Sequence, residues 1–133
     1  MKTIFQTPTN NLKHSIDFYQ TLDLHYQNID GKHYVNDGNV VIEINPERTS
    51  RAGVKLFKPT WKADIETLTK KYDIIKTDNG YLLTAPSGVW VYLIETDNEI
   101  KIDLIEAGSS VLGKSMGLSL ETISIDKSMK FWM

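Results

Sequence analysis

The sequence predicts an α+β fold made of two similar units, and three observations support this prediction. Four turn-forming dipeptides fall into two sets separated by 49 and 50 residues: Asp30-Gly31 and Asp37-Gly38, then Asn79-Gly80 and Ser87-Gly88. Strand-like runs flank each dipeptide, and a helix-like segment precedes each set. We therefore expect a strand, a helix and three hairpin-linked strands, twice over. The two units should form a curved, half-barrel-like mixed sheet around a cavity, with the helices outside.

The first unit is expected at about residues 1–46. Residues 3–7 have the composition of a strand, and Asn10 or Asn11 is placed to cap the following helix. The apolar residues of that helix recur at helical spacing, at Leu12, Ile16, Tyr19 and Leu22. Three predicted strands follow, at residues 24–29, 32–36 and 39–45.

The second unit is expected at about residues 53–96. It begins with a predicted strand at residues 53–58, and Thr60 is placed to cap a helix over residues 61–71. The remaining predicted strands are at residues 73–77, 81–85 and 89–95. Beyond this unit, residues 98–117 are expected to form a further strand and a Gly/Ser-rich linker. Residues 118–133 have the pattern of a strand followed by the start of a helix.

Composition limits the function classes. A chain of 133 residues can form one globular domain, and its net charge of −2 with scattered lysines does not favour nucleic-acid binding. The sequence contains no apolar run long enough to cross a bilayer and no cysteine, so it offers neither a disulfide nor a thiolate nucleophile. These features favour a cytoplasmic protein with no nucleic-acid or membrane partner.

Two segments resemble a known family. The segment LKHSIDFYQTLDL, which begins at Leu12, resembles the first helix of the vicinal oxygen chelate superfamily. That superfamily includes glyoxalase I, the extradiol dioxygenases and the bleomycin-resistance proteins. The segment APSGVWVYL, which begins at Ala85, is similar to a late strand segment of the same superfamily. The resemblance implies a domain over residues 1–97 built of two βαβββ modules, and it implies that residues 118–133 are the truncated start of a second such domain.

The resemblance also implies where a metal would be bound. In metal-dependent members of the superfamily, the first, fourth, fifth and eighth strands each contribute one ligand. Carried over position by position, these ligands fall on Ile4, Glu43, Gly53 or Val54, and Tyr92. Only Glu43 could bind a cation, because divalent metals require several carboxylate oxygens or imidazole nitrogens. We therefore expect no bound metal and no cofactor.

The expected ligand-binding residues are Glu43, Trp90, Tyr92, Ile4 and Gln6. By strand alternation, Glu43 faces away from Ile42 and Ile44, so its carboxylate should meet either a wet cavity or a cation. A solvated or salt-bridged strand residue is the alternative. Trp90 and Tyr92 share a strand face that, by the resemblance, looks into the concave sheet, where aromatic rings could stack on a ligand. Alternatively, the two rings only fill the sheet interior.

Other reactive residues are assigned to structural roles. None of the three histidines is spaced to share a metal with a second ligand, so each is interpreted as a surface or structural residue. The basic residues Arg48, Arg51, Lys55, Lys58 and Lys62 are interpreted as a solvated face, with an anion-contacting loop as the alternative. The sequence contains no nucleophile triad, phosphate-binding loop or dinucleotide fingerprint.

The leading functional interpretation is a metal-free protein of the glyoxalase/bleomycin-resistance type that binds a small organic molecule and has no catalytic residues. The first alternative is a divalent-metal-dependent lyase, isomerase or dioxygenase. The second is a non-catalytic structural or dimerisation domain. We also expect a homodimer, because the apolar positions of residues 118–125 should pack either against this chain or against a second copy.

Overall fold

Eight strands and two helices make up the described part of the chain, which confirms the predicted α+β class. The structure is a computed structural model that describes residues 2–85, 88–97, 102 and 104. By their internal contacts, the described residues divide into two units. We call residues Ile4–Ala52 the first unit, and the part of Gly53–Glu99 that is described the second unit.

The first unit contains β1 (Lys2–Pro8) from Ile4 onwards, α1 (Leu12–Thr21), β2 (His25–Ile29), β3 (Lys32–Asn36) and β4 (Val41–Asn45). Its strands are ordered β2-β3-β4-β1; β1 and β4 are parallel, and the other neighbours are antiparallel. Asn11 is the N-cap of helix α1, and its side chain accepts a hydrogen bond from the His14 N–H at 3.1 Å. This confirms one of the two predicted caps, Asn10 and Asn11. Asp30 and Gly31 both have positive φ, of 51° and 80°, so they form the predicted two-residue turn.

Helix α1 packs on one face of this sheet. Leu24, Val35 and Ile44 form the buried centre of the contact, and the apolar side chains of α1 cover them. Leu12, Ile16 and Tyr19 provide that cover at helical spacing. The opposite face of the sheet therefore carries the alternate residues of each strand.

The second unit contains β5 (Gly53–Lys58), α2 (Lys62–Leu68), β6 (Ile75–Thr77), β7 (Gly80–Thr84) and β8 (Trp90–Glu95). Its strands are ordered β5-β8-β7-β6, and the β5–β8 pair is parallel while the other pairs are antiparallel. Five buried residues form the core on the side of α2: Trp61, Leu83, Ala85, Val91 and Leu93. The pairing scheme is thus the same as that of the first unit.

Two of the predicted turns are wrong in detail. The Asp37-Gly38 dipeptide does not form a two-residue hairpin, because β4 begins only at Val41. The Asp37 carboxylate accepts hydrogen bonds from the N–H groups of Asn39 (2.9 Å) and Val40 (2.8 Å), which widens the turn. Gly80 belongs to β7, so the turn that precedes it consists of Asp78 and Asn79.

The second helix is shorter than predicted, and its cap is shifted. The residue at its N-cap is Trp61 rather than Thr60, although the Thr60 hydroxyl accepts a hydrogen bond from the Lys62 N–H at 3.2 Å. The helix ends at Leu68, where the Thr69 hydroxyl donates to the Ile65 carbonyl at 2.8 Å.

Several predictions lie outside the described residues. These are the strand and linker at residues 98–117, apart from residues 102 and 104, the start of a second domain at residues 118–133, and the Ser87 part of the last turn. Within the described residues, neither helix is long and apolar enough to span a membrane.

Candidate functional site

A row of polar side chains lies on the face of the first sheet that points away from α1. Gln6 on β1 is paired with Glu43 on β4, Glu43 with Tyr34 on β3, and Tyr34 with Gln27 on β2. Because paired residues in neighbouring strands point to the same side, these four side chains form one line across the sheet. We call Gln6, Glu43, Tyr34 and Gln27 the polar row.

Three members of the polar row are buried. The exposed fraction is 4% for Gln6, 4% for Glu43 and 2% for Tyr34. Burying polar groups costs free energy unless they are hydrogen-bonded, so a sheet face that only packs is normally apolar. Both polar atoms of the Gln6 side-chain amide are hydrogen-bonded. Its Nε2 donates to the Arg51 carbonyl at 2.8 Å, and its Oε1 accepts from Asn45 Nδ2 at 2.9 Å.

The phenol of Tyr34 is held in its neutral form. Burial raises the pKa of Tyr34 to about 12, and the nearby carboxylates of Glu43 and Asp30 add to the shift. A phenol is protonated at neutral pH in any case, and the raised pKa keeps the Tyr34 hydroxyl a hydrogen-bond donor into the alkaline range. The polar row thus combines a fixed amide, a carboxylate and a hydroxyl donor on one face.

In the second unit, the strand face that points away from α2 carries two neighbouring aromatic side chains. Trp90 and Tyr92 lie on the same side of β8, with ring centroids 6.0 Å apart and ring planes tilted by 54°. Both side chains are half-buried, whereas the intervening Val91 points to the core beneath α2. An indole and a phenol that keep part of their surface accessible can pack against a flat ligand.

Lys55 joins the two aromatic residues, contrary to the prediction of a solvated basic face. It is paired with Tyr92 across β5 and β8, only 7% of it is exposed, and its Nζ lies 5.7 Å from the centroid of the Tyr92 ring. The prediction was wrong because it grouped lysines and arginines by proximity in sequence. Strand alternation instead points the Lys55 side chain to the face away from α2, where it is buried, whereas Arg51 is exposed.

The structure brings the five expected ligand-binding residues together in two groups. Ile4, Gln6 and Glu43 lie on one face of the first sheet, and Trp90 and Tyr92 lie on one face of the second. Ile4 is fully buried, and its aliphatic side chain has no hydrogen-bonding group to offer a ligand.

Tyr34 and Lys55 are additions that the sequence reasoning missed. For Lys55 the signal was available, since a shift of 49 residues aligns Gln6 with Lys55 and Glu43 with Tyr92. Gln6 is paired with Glu43, and Lys55 is paired with Tyr92 in the same way.

The residues present do not fit a catalytic metal. Of the positions that the family resemblance assigns to metal ligands, only Glu43 carries a donor that divalent metals favour. Within the described ranges, no three His, Cys, Asp or Glu side chains cluster closely enough to hold an ion. His33, the most constrained histidine, has its Nδ1 2.8 Å from the Tyr26 hydroxyl and stacks on that ring.

Two grooves lie away from these faces. One, of about 550 Å³, is beneath α2 and is lined mainly by core side chains of the second unit, including Leu56, Trp61, Leu68 and Leu83. The other, of about 290 Å³, lies between α1 and the end of β1 and is lined by Thr7, Thr9, His14 and Phe18, among others. Neither groove contains any of the five expected ligand-binding residues.

Comparisons with known proteins leave the family open. No protein-family model matches the chain, and no curated protein is significantly similar to it.

Proposed function

We propose that this chain is a metal-free protein of the glyoxalase/bleomycin-resistance type that binds a small organic molecule on the sheet faces that point away from the helices. The resemblance of the first helix and of the β8 segment to that superfamily motivates the proposal. The curved half-barrel of two βαβββ modules that the resemblance implies is part of it. The proposal also includes a cytoplasmic location and a homodimer.

The observation that carries the proposal is the buried polar row. Gln6, Glu43 and Tyr34 are in register on a sheet face that does not contact α1. An apolar face would stabilise the fold equally well without the cost of removing a carboxylate and an amide from water. Ligand sites, in contrast, need a few polar groups at fixed positions within a largely apolar surface.

The three polar groups offer complementary hydrogen bonding. The Glu43 carboxylate accepts hydrogen bonds, and the Tyr34 hydroxyl is a protonated phenol that can donate one. The raised pKa of Tyr34, about 12, extends this donor role into the alkaline range. The Gln6 amide is fixed by Arg51 and Asn45, so its neighbours are held in a defined geometry. A small molecule with both donor and acceptor groups would match this surface.

The proposal is tested by screening a library of small organic molecules for thermal stabilisation of the full chain. A ligand present at 100 times its Kd should stabilise the folded state by about 2.7 kcal/mol, which raises Tm measurably. Glu43→Gln preserves the shape of the side chain and removes its charge, and it should weaken binding of any hit about tenfold or more. Glu47→Gln is the matched control, because Glu47 is exposed in the loop after β4.

Two outcomes would contradict the proposal. One is that no library member shifts Tm, which favours the structural or dimerisation alternative. The other is that every hit binds Glu43→Gln and Glu47→Gln with the same affinity as the unmodified chain, so that the polar row takes no part in recognition.

A further inference from the structure

Asn79 is the only asparagine of the chain that is followed by glycine. An asparagine can lose its side-chain amide when the backbone nitrogen of the next residue attacks its Cγ carbon. A side chain on that next residue hinders the approach of the nitrogen, and glycine has none. The Asn79-Gly80 pair therefore lacks the main steric obstacle to this reaction.

The reacting amide lies in an exposed turn. Asp78 and Asn79 connect β6 and β7, and both residues are exposed. The Thr77 hydroxyl donates a hydrogen bond to Asn79 Oδ1 at 3.3 Å. A donor at this oxygen polarises the side-chain carbonyl and stabilises the negative charge that develops there during attack. The Asn79 side chain is thus accessible to water and activated by its neighbour.

The conformation of this turn favours its transient opening. Two-residue hairpin loops match the twist of their strands best when the turn residues have positive φ. Among the described residues other than glycine, only two have positive φ, and neither lies in this turn. Strand β6 has three residues and pairs only with β7. Opening of the terminal Thr77–Gly80 pair would release the Gly80 nitrogen for attack.

The two Asp-Gly pairs of the first unit lack this combination. The Gly31 N–H donates to Asn28 Oδ1 at 3.0 Å, and the Gly38 N–H donates to Asn36 Oδ1 at 3.1 Å. In both pairs, a side-chain acceptor holds the nitrogen that would attack. An aspartate is also a poorer target than an amide, because its negative charge repels the nucleophile. The combination of features therefore selects Asn79.

We propose that Asn79 is a site of spontaneous deamidation and that its product loosens the β6–β7 hairpin. The Gly80 nitrogen forms a bond to Asn79 Cγ, the bond from Cγ to the side-chain nitrogen breaks, and ammonia leaves with the proton from Gly80. One water molecule then opens the succinimide ring at either carbonyl carbon, which gives aspartate or isoaspartate. Each product carries one more negative charge than asparagine. The reaction needs only water, so it does not depend on the small-molecule function proposed above.

The isoaspartate product lengthens the backbone between residue 79 and Gly80 by one carbon atom. Gly80 is the first residue of β7 and pairs with Ile94 of β8. The two backbones are so close that a Cβ atom at Gly80 would collide with the Leu93 carbonyl. The extra atom cannot be absorbed on that side, so the pairing of Thr77 with Gly80 should be lost first.

Peptide mass spectrometry after incubation of the full chain at mildly alkaline pH measures deamidation at each asparagine. We expect Asn79 to react at least about tenfold faster than Asn28, because the next residue is glycine at the first site and isoleucine at the second. Asn28 is the internal control, since it is also exposed and precedes a hairpin turn. The modified chain should gain about 1 Da and bind an anion-exchange column more tightly. In the isoaspartate fraction, hydrogen exchange should be faster in β6 and at the start of β7.

Thr77→Val tests the hydroxyl, because it keeps the branched shape of the side chain and removes the donor. In the folded chain, it should slow the reaction of Asn79 by about two- to tenfold, the effect of one hydrogen bond. In guanidinium chloride, where no fold holds residue 77 beside Asn79, the variant and the unmodified chain should react at the same rate. Thr84→Val is the matched control, since Thr84 is an exposed threonine of β7 in the same hairpin.

Each part of the proposal has its own contradicting outcome. Equal rates at Asn79 and Asn28 in the unmodified chain would overturn the assignment of Asn79. That comparison needs no variant, so it holds even if Thr77→Val fails to fold. Equal rates for folded Thr77→Val and Thr84→Val would reject the role of the Thr77 hydroxyl. Unchanged hydrogen exchange in the isoaspartate fraction would reject the loosening of the hairpin.

Discussion

Two tryptophans in the second unit show how one residue type serves two different roles. Trp61 is buried in the core, where its Nε1 donates to the Ile94 carbonyl at 3.1 Å and Lys58 covers its ring. Trp90 is half-buried on the opposite face of the sheet, next to Tyr92. The first residue stabilises the fold, and the second belongs to the ligand-binding surface that we propose.

Alanine substitutions should separate these roles. Trp61→Ala should lower the free energy of unfolding by about 3–5 kcal/mol, because it leaves a large cavity and an unpaired Ile94 carbonyl. Trp90→Ala should cost less, about 1–2 kcal/mol, since part of that side chain is already exposed to solvent. Urea denaturation of both variants measures the difference. A larger loss for Trp90→Ala would mean that its ring is a core residue and not a binding surface.

The raised pKa of Tyr34 predicts that the free energy of unfolding falls at alkaline pH. Its pKa is raised from 10.0 to about 12 in the folded chain, so between those values the unfolded state loses this proton while the folded state keeps it. Stability is therefore present in full below pH 10 and falls as pH rises towards 12. The loss reaches about 2 kcal/mol.

Tyr34→Phe removes this contribution and isolates it from the other tyrosines. Spectrophotometric titration at the tyrosinate absorbance should show one late-titrating phenol in the unmodified chain and none in the variant. The fall in stability above pH 10 should be less steep in Tyr34→Phe. If the unmodified chain showed no late-titrating phenol, that result would contradict the burial of Tyr34.

At the scale of the elements, Gly31 and Gly80 are required for different physical reasons. Gly31 has φ of 80° and open space where a Cβ would be, so only its backbone conformation is special. Gly80 begins β7 opposite Ile94, and a Cβ there would collide with the Leu93 carbonyl.

The two glycines should therefore respond differently to substitution. Gly31→Ala should cost about 1–2 kcal/mol of unfolding free energy, and Gly31→Asn less, because asparagine tolerates the left-handed conformation. Gly80→Ala should cost at least about 3 kcal/mol, because the β7 and β8 backbones would have to separate. Thermal or urea unfolding of the three variants gives the order. Equal costs for Gly31→Ala and Gly80→Ala would show that the β7–β8 pair is not as close as described.

Local sequence signals predicted most element positions because hydrophobic period and turn chemistry are themselves local. The strands at residues 32–36 and 53–58 were predicted to the residue, and the α1 cap fell on one of two predicted asparagines. The failures come from side-chain hydrogen bonds that sequence pattern does not reveal. Asp37 accepts hydrogen bonds from two backbone N–H groups and widens its turn.

Only some residues of the candidate site could be predicted from the sequence. Alternation placed Glu43 away from Ile42 and Ile44, and the structure agrees. The partners of Glu43 on neighbouring strands depend on strand order and register, which are non-local. Tyr34 was missed for that reason. Lys55 was missed because a charged residue in a basic stretch normally points to solvent.

At the scale of the whole molecule, the metal content of the purified protein tests the proposal that this chain, unlike the metal-dependent members of the superfamily, binds no metal. We expect no stoichiometric zinc, nickel, iron or manganese, because Ile4, Val54 and Tyr92 stand where those members place ligands. Elemental analysis measures this directly. A full equivalent of any of these metals would overturn the assignment and favour the lyase, isomerase or dioxygenase alternative.

Strand edges bear on self-association. In the described part of the second unit, β6 pairs with β7 and ends the strand order, so one side of its backbone lacks a described strand partner. Ile75 on this strand is 64% exposed, which is unusual for a large apolar residue at an edge. An exposed edge with an apolar side chain is a surface at which a second copy of the chain can add a strand.

The final prediction is therefore a homodimer in which the β6 edge takes part. Light scattering with size-exclusion chromatography should give a mass near twice that of the 15.2 kDa chain. Ile75→Lys should shift the protein towards the monomer, because a buried, unpaired ammonium would be costly at a strand-to-strand contact. Phe18→Lys is the matched control, since Phe18 is also a large exposed apolar residue but lies on α1. A monomer at high concentration would reject the dimer, and equal dissociation by both variants would reject β6 as its contact.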